Sequence, residues 1–249
     1  MQVSNNKNVS AVIAAAGKGT RSKLNFPKCL FKIEDREILG RILDALPNNL
    51  HSKNIIVSND GYKPIASYIN NLKVKDIHLI IQEKQLGMGN AILQLYDIQS
   101  TLANNILLMW GDLPFISGES IESLLSYHFN EKNDFSFLTL MSKNVYTLVE
   151  RDNLGNIQRV IESKELNDLK KIPILGERDI GVFIFKRDII LEYLQRDLNN
   201  KFGPKSGEHG FLYVIEHLVN DGYKVGGIET HNEIEGVSFN ALEDIKKFL

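Results

Sequence analysis

Between residues 9 and 112, short apolar runs alternate with stretches of helical spacing, and this alternation constrains the fold more than any other feature of the chain. The run Val12-Ile13-Ala14-Ala15-Ala16 has the size of one buried strand. Residues 36–46 then carry Ile38, Leu39, Ile42, Leu43 and Leu46 on one helical face, and Pro47 ends them. Strand-like runs follow at 54–58, 77–82 and 105–110, separated by helical patterns at 64–72 (Ile65, Tyr68, Ile69, Leu72) and 90–98 (Ile92, Leu95, Ile98). Such a series predicts an α/β fold with a doubly wound, mostly parallel sheet. Sheets of this kind bind ligands beyond the carboxyl ends of their strands. The glycine-rich stretch after Ala16, the segment from Gln82 and the turn at Asp112 all fall at such ends.

Past Asp112 the pattern loosens. A helix is predicted over 121–129, a strand over 135–141, and a hairpin whose flanks at Val149 and 157–161 surround Leu154-Gly155-Asn156. A polar loop over 166–176 precedes a strand at 179–185, helices at 188–194 and 211–220, a strand at 224–229 and a last helix at 241–249. We read 1–249 as a single domain, with a nucleotide-binding half at 9–116 and a smaller, mixed, acceptor-binding half at 117–249. At 249 residues and 43% hydrophobic, the chain can bury a core of that size.

A net charge of −2 gives no electrostatic footprint for nucleic acid or an anionic membrane. Cys29 is the single cysteine, so no intrachain disulfide is possible, and it reads as a small apolar filler beside Pro27 and Leu30. The N-terminus lacks the apolar core of a secretory signal, and no apolar run reaches the ~20 residues of a membrane span. The expectation is a soluble cytoplasmic protein. The six histidines (His51, His78, His128, His209, His217, His231) show no metal-ligand spacing.

Three stretches carry chemistry. Gly17-Lys18-Gly19-Thr20-Arg21 follows the first strand; its glycines admit a tight turn, and successive backbone N–H groups there form an anion-binding concavity. Arg21 and Lys28 add cations suited to a triphosphate. The loop is not a P-loop, and Ser22 stands where the third glycine of a dinucleotide fingerprint would be. By itself it could be only a turn. Gln82 to Ala91 follows a strand and opens a helix; a glutamine amide offers a donor and an acceptor to a pyrimidine edge, and Gly87 and Gly89 leave room for a flat base. Asp112, at the end of an apolar strand, suits Mg²⁺, which takes one or two carboxylates with waters and phosphate oxygens, or else caps a turn.

Taken together, G-x-G-T-R followed by P-K-C-L, then Q-x-x-Q-L-G-M-G-N-A and G-D-L-P, resembles the sugar-1-phosphate nucleotidyltransferases with a MobA-like NTP transferase domain. The likeness is greatest to uridylyltransferase domains acting on N-acetylglucosamine 1-phosphate. The bifunctional members append a β-helix of hexapeptide repeats for acetyl transfer, and no such repeats occur here. The resemblance implies a Rossmann-like nucleotidyltransferase fold, catalytic roles for Arg21 and Lys28, and nucleotide contacts from Ala15, Ala16, Gly17, Gly19, Thr20, Gln82, Gln85 and Gly87. It implies Mg²⁺ on Asp112 and, near the C-terminus, on Asn240 or Ser238, with Asn240 chosen on the N-x-x-E-D spacing. Trp110, Thr147, Glu162, Lys164 and Asp179 fall to the acceptor. The implied partners are an NTP, with UTP favoured over CTP, and a phosphorylated small molecule.

The acceptor side departs from the family pattern. Asp179-Ile180-Gly181 stands for N-T-G, and Tyr146-Thr147-Leu148-Val149 for Y-G-R-I, which loses an arginine. A carboxylate only accepts hydrogen bonds, so Asp179 in a closed pocket calls for a cation or several donors, and the acceptor is expected to differ from N-acetylglucosamine 1-phosphate. A cytidylyltransferase for a sugar or non-sugar phosphate, and a nucleotide-binding module without turnover, remain open at this point.

Overall fold

In the computed structural model, which describes residues 6–17, 19, 22–72, 74, 76–166 and 172–246, the apolar runs pair into one sheet. In chain order the elements are β1 (Val9–Ala14), β2 (Lys32–Ile33), β3 (Arg36–Glu37), α1 (Ile38–Ala45), β4 (Ser52–Ser58), α2 (Asn59–Leu72), β5 (Ile77–Gln82), α3 (Met88–Leu93) and β6 (Asn105–Trp110). There follow α4 (Gly118–Asn130), β7 (Phe135–Ser142), β8 (Thr147–Arg151), β9 (Ile157–Glu162), β10 (Gly176–Lys186), α5 (Arg187–Gln195), α6 (Val214–Asn220), β11 (Val225–Glu229) and α7 (Leu242–Ile245).

The sheet has seven strands in the order β11-β7-β10-β6-β1-β4-β5. β1 pairs parallel with β4 and β6, β4 with β5, and β11 with β7. β10 alone runs antiparallel to its neighbours β6 and β7. The sheet therefore continues without a break from the first half of the chain into the second. The hairpin of β8 and β9 stands apart as a two-stranded ribbon.

Both faces of the central strands β1 and β6 are covered, which is why these read as nearly unbroken apolar runs. Val9, Ala11 and Ile13 of β1 pack on one side with Ile38, Leu39 and Ile42 of α1, Ile65 and Ile69 of α2, and Leu124 of α4. Val12 and Ala14 pack on the other with Ile92 of α3, Ile190 and Leu194 of α5, and Ile215 of α6. Among the described residues, no helix is long and apolar enough to cross a membrane.

Several boundaries differ from the expected ones for local reasons. α2 begins at Asn59 rather than Pro64, because the Ser58 hydroxyl accepts from the Gly61 N–H at 3.1 Å and caps the helix early. The helix expected over 90–98 is α3 followed by a 3₁₀ stretch, Gln94–Thr101. α6 starts at Val214, after the Phe211 turn. In the polar stretch 166–176, residues 167–171 lie outside the described ones and Gly176 already belongs to β10. α7 is a single turn, and 247–249 also lie outside the described residues.

Candidate active site

At the carboxyl end of β1 the chain is fastened on both sides. The Gly111 N–H donates to the Ala14 carbonyl at 2.9 Å, and the Ala15 N–H donates to the Ile56 carbonyl at 2.8 Å. Gly111 needs to be glycine, since a Cβ would stand 2.9 Å from the Ala14 oxygen and 3.1 Å from Ala15 Cα. The turn then runs through Ala16 and Gly17 to Gly19, whose φ of +59° is the left-handed conformation glycine favours. Ser22 closes it, its backbone N–H and hydroxyl both donating to the Gly19 carbonyl at 3.0 and 2.6 Å. Lys18, Thr20 and Arg21 lie outside the described residues, so the expected roles of Thr20 and Arg21 have no geometry here.

Lys28 is brought back to this turn by the 3₁₀ segment Lys28–Leu30. Its side chain passes beside Gly17, where a Cβ would be 3.9 Å from Lys28 Cε. Lys28 Nζ donates to Asp112 Oδ2 at 2.5 Å. The other carboxylate oxygen, Asp112 Oδ1, is buried and has no hydrogen-bond partner among the described residues. A buried carboxylate oxygen left unanswered is costly, and an acceptor-only oxygen suits a hard cation. The residues present therefore fit Mg²⁺ at Asp112. The C-terminal segment arrives at the same place. The Phe239 N–H donates to the Asp112 backbone oxygen at 2.8 Å, and the buried Phe239 ring lies 4.6 Å from that of Phe31. Ser238 and Asn240 flank Phe239, and Asn240 Nδ2 donates to Ser238 Oγ at 3.0 Å. The two candidates for the second metal position are thus neighbours in space.

The segment from Gln82 joins the glycine turn through Gln85, whose Nε2 donates to the Ala16 carbonyl. Gln82 is buried, and its amide nitrogen is already committed, donating to the Gly87 carbonyl at 3.1 Å and to Asn90 Oδ1 at 2.9 Å. The expectation that this amide offers both a donor and an acceptor to a base is therefore corrected, because its N–H₂ holds the loop. The glycines also serve another purpose than the one expected. A Cβ on Gly87, where φ is +110°, would meet the His209 carbonyl at 2.4 Å, and one on Gly89 would meet the Gly210 carbonyl at 2.0 Å. The backbone of 208–210, rather than open room for a base, lies against them. His209 N–H donates to the Leu86 carbonyl at 2.7 Å, and Gly89 N–H donates to the His209 carbonyl at 3.0 Å.

On the acceptor side, Asp179 is 1% exposed and both its oxygens are answered from within the protein. Thr147 Oγ1 donates to Oδ2 at 2.6 Å and the Gly181 N–H to Oδ1 at 2.9 Å. Burial pushes the Asp179 carboxyl above the usual carboxylate range, against the opposing pull of those two bonds and of Arg178. The carboxylate does not wait for a cation from the acceptor, which removes the physical reason for expecting one. Trp110 packs its ring 5.0 Å from Phe183 and 5.8 Å from Phe211, and Gly181 makes room for it, since a Cβ there would be 2.3 Å from Trp110 Cδ1. Lys164 Nζ lies 3.1 Å from Glu162 Oε2 and 3.8 Å from Glu208 Oε2. Burial lowers the Lys164 ammonium's proton affinity, but these carboxylates more than offset it and hold it above the usual lysine range.

Sequence reasoning missed two buried charges near the site. Arg178, 4% exposed, donates from Nη1 to Tyr146 OH at 2.7 Å and from Nη2 to the Gly236 carbonyl at 2.8 Å. Glu235, 1% exposed, accepts from the Ser117 N–H at 3.0 Å, Ser120 Oγ at 2.7 Å and Thr230 Oγ1 at 2.5 Å. Arg178 stands between two other charged residues, Glu177 and Asp179, so its local sequence reads as solvated and gave no signal of its burial. Cys29 is 1% exposed, and burial pushes its thiol up to about 12, as befits a filler.

Comparison with known proteins gives the family and the fold. The family model described as the MobA-like NTP transferase domain matches residues 11–171. The chain is 32% identical over 228 residues to the bifunctional protein GlmU of Clostridium tetani (strain Massachusetts / E88), covering 90% of this chain and 48% of that protein. It is 29% identical over 232 residues to the bifunctional protein GlmU of Streptococcus thermophilus (strain CNRZ 1066), covering 92% and 48%. The chain thus spans about half the length of these curated relatives. Among solved structures, a Bacillus anthracis protein described as a glucose-1-phosphate thymidylyltransferase superposes with a TM-score of 0.76 at 14% identity, over 96% of this chain and 93% of that one. An Entamoeba histolytica protein described as a UDP-N-acetylglucosamine pyrophosphorylase gives 0.72 at 14% identity, over 98% and 80%. At that identity these two likenesses concern the fold.

Proposed function

The chain belongs to the MobA-like NTP transferase domain family, and from that premise we propose that it transfers a nucleoside monophosphate from UTP to a sugar 1-phosphate, releasing pyrophosphate. The observation that carries the reading is Asp112, at the sheet end beside the glycine turn, with Lys28 on one oxygen and the other buried and without a hydrogen-bond partner among the described residues.

An oxygen of the acceptor phosphate attacks the α-phosphorus of the triphosphate, and the bond from that phosphorus to the β-bridging oxygen breaks as pyrophosphate leaves. The acceptor phosphate is already ionised at neutral pH, so no general base is needed, and positioning with charge stabilisation supplies the rate. The glycine turn and Arg21 hold the departing phosphates, and Lys28 neutralises charge at the α-phosphoryl group. Asp112 and Asn240 would hold Mg²⁺, which supplies a hard positive charge to phosphate oxygens. Ala15, Ala16, Gln82, Gln85 and Gly87 shape the nucleotide site in the 9–116 half. Thr147, Glu162, Lys164 and Asp179 shape the acceptor site in the 117–249 half. A cytoplasmic location suits a reaction that consumes nucleoside triphosphates.

CTP is the second donor. With the Gln82 amide nitrogen tied to Gly87 and Asn90, its carbonyl is the group left to read a base, and both pyrimidines bring a donor to it. A pyrophosphate-release screen of four NTPs against a panel of phosphorylated acceptors tests the reading. We expect release with UTP or CTP and at least one sugar 1-phosphate. Tight nucleotide binding with no pyrophosphate from any pair would leave a nucleotide-binding module instead.

A further inference from the structure

We infer that Arg178 is a positioning residue for the candidate metal site, holding the backbone of Gly236 so that the segment carrying Ser238 and Asn240 stays beside Asp112. This rests on the assignment of Asp112 to Mg²⁺ made above.

The segment after β11 is held at three points. The Glu235 carboxylate is bound by Ser117, Ser120 and Thr230, and the Phe239 N–H is bound to the Asp112 backbone oxygen. Between them, Arg178 Nη2 reaches across from β10 to the Gly236 carbonyl at 2.8 Å. Gly236 itself is shaped around this contact, since a Cβ there would stand 2.6 Å from Arg178 Nη2 and 2.5 Å from Leu140 Cδ2. On its other side the guanidinium lies 4.5 Å from the centre of the Tyr146 ring, and Nη1 donates to Tyr146 OH at 2.7 Å and to the Asp179 carbonyl at 3.1 Å. Tyr146 OH in turn donates to the same Asp179 carbonyl at 3.1 Å. One planar group therefore fixes β10, the start of the β8–β9 hairpin and the C-terminal segment relative to one another.

Stability does not explain the arginine. Burying a guanidinium is expensive, an apolar side chain of similar volume often serves as well or better, and Arg178 Nε remains buried without a partner among the described residues. What a rigid fork of donors supplies, and an apolar side chain cannot, is a set of fixed directions to several partners at once. The partners it fixes lead to Asp112 within three residues of Gly236, through Phe239.

The test compares wild type with Arg178→Met, which keeps an unbranched stem and removes the fork. Amide hydrogen exchange reads the Phe239 N–H, and electron paramagnetic resonance counts free Mn²⁺ in the presence of UTP. We expect Phe239 to exchange faster and Mn²⁺ to bind about tenfold more weakly, the size typical of losing support around a metal ligand. UTP binding in the presence of a chelator is expected to stay unchanged. Unchanged Phe239 exchange, or faster exchange with unchanged Mn²⁺ affinity, would overturn the inference. If Arg178→Met does not melt cooperatively, Tyr146→Phe carries the same comparison, since it removes one of the two acceptors of Nη1 and keeps the ring; shifts in the same directions support the inference, and the absence of any shift overturns it. A wild type with no protein-dependent Mn²⁺ site would remove the metal reading and this inference with it, and normal exchange changes in the variant would show that the metal assignment, not the Arg178 contact, had failed.

Discussion

Lys28 touches Asp112 through its ammonium and passes its stem beside Gly17, so one side chain spans the two groups on which the proposed chemistry depends. Replacing it with alanine is expected to lower kcat by about tenfold or more with a smaller change in NTP affinity, because its charge counts most as charge builds at the α-phosphorus. Steady-state kinetics checks this, and wild-type kcat would take Lys28 out of the mechanism. Asp112→Asn keeps the shape but lowers the charge, and is expected to raise the Mg²⁺ concentration for half-activation. An unchanged metal titration would return Asp112 to a capping role. Asp179 calls for a different experiment. Its two oxygens meet two donors, Thr147 Oγ1 and the Gly181 N–H, whereas an asparagine can meet only one of them with its oxygen. Asp179→Asn should therefore cost about 1–3 kcal/mol of stability in urea unfolding. Equal stability of the two proteins would show that the buried pairing is relaxed.

At the scale of elements, the loop joining β5 to α3 owes its shape to a partner far away in sequence. Gly87→Ala would combine a left-handed backbone with a Cβ 2.4 Å from the His209 carbonyl. We expect a loss of about 3 kcal/mol, from backbone strain and overpacking together, visible as a lower urea midpoint with an unchanged slope. A midpoint equal to wild type would mean that 208–210 moves aside at little cost. The sequence marked Gly87 and Gly89 clearly but not their reason, because a contact between residues 87 and 209 leaves no local periodicity. By contrast the strands at 77–82 and 105–110 were legible to the residue, the second because burial on both faces writes itself into a continuous apolar run, and the first, an edge strand, because its apolar run is bounded by polar residues. The positions of Lys28 and Asp112 at the sheet end were legible as motifs, and their direct contact was not. Arg178 was illegible for the same reason as the glycine loop, its partners Tyr146 and Gly236 lying 32 and 58 residues away. α2 shows a purely local failure: proline is a common first-turn residue, and here the Ser58 cap outranked it.

For the whole molecule, two buried imidazoles link stability to pH. Burial, with the charge of Lys186, lowers His128 to about 4, and burial, with Lys201, lowers His209 to about 4, against an ordinary 6.5. Between those values the unfolded chain binds protons that the folded chain refuses, so stability is full above about pH 6.5 and falls toward pH 4. Each histidine contributes a slope of about 1.4 kcal/mol per pH unit in that window. His128→Gln should remove one such increment from the measured slope, and an identical slope in the variant would show that His128 protonates without unfolding. The reversed strand β10 has a consequence in time as well as in space. β6 and β7 are separated by a gap that only residues 176–186 can fill, and the family-matched stretch 11–171 ends before them. During synthesis, then, the apolar strands emerge in one order and become adjacent in another. A ribosome that has delivered β1 through β9 holds the strands β6-β1-β4-β5 with the β6 edge open, and a β7 whose partners β10 and β11 are both still to come. Such a chain exposes three strand edges awaiting a partner, one on β6 and two on β7, the usual starting point for misassembly. Nascent chains stalled before residue 176 should therefore bind holdase chaperones, and those released after β11 should not.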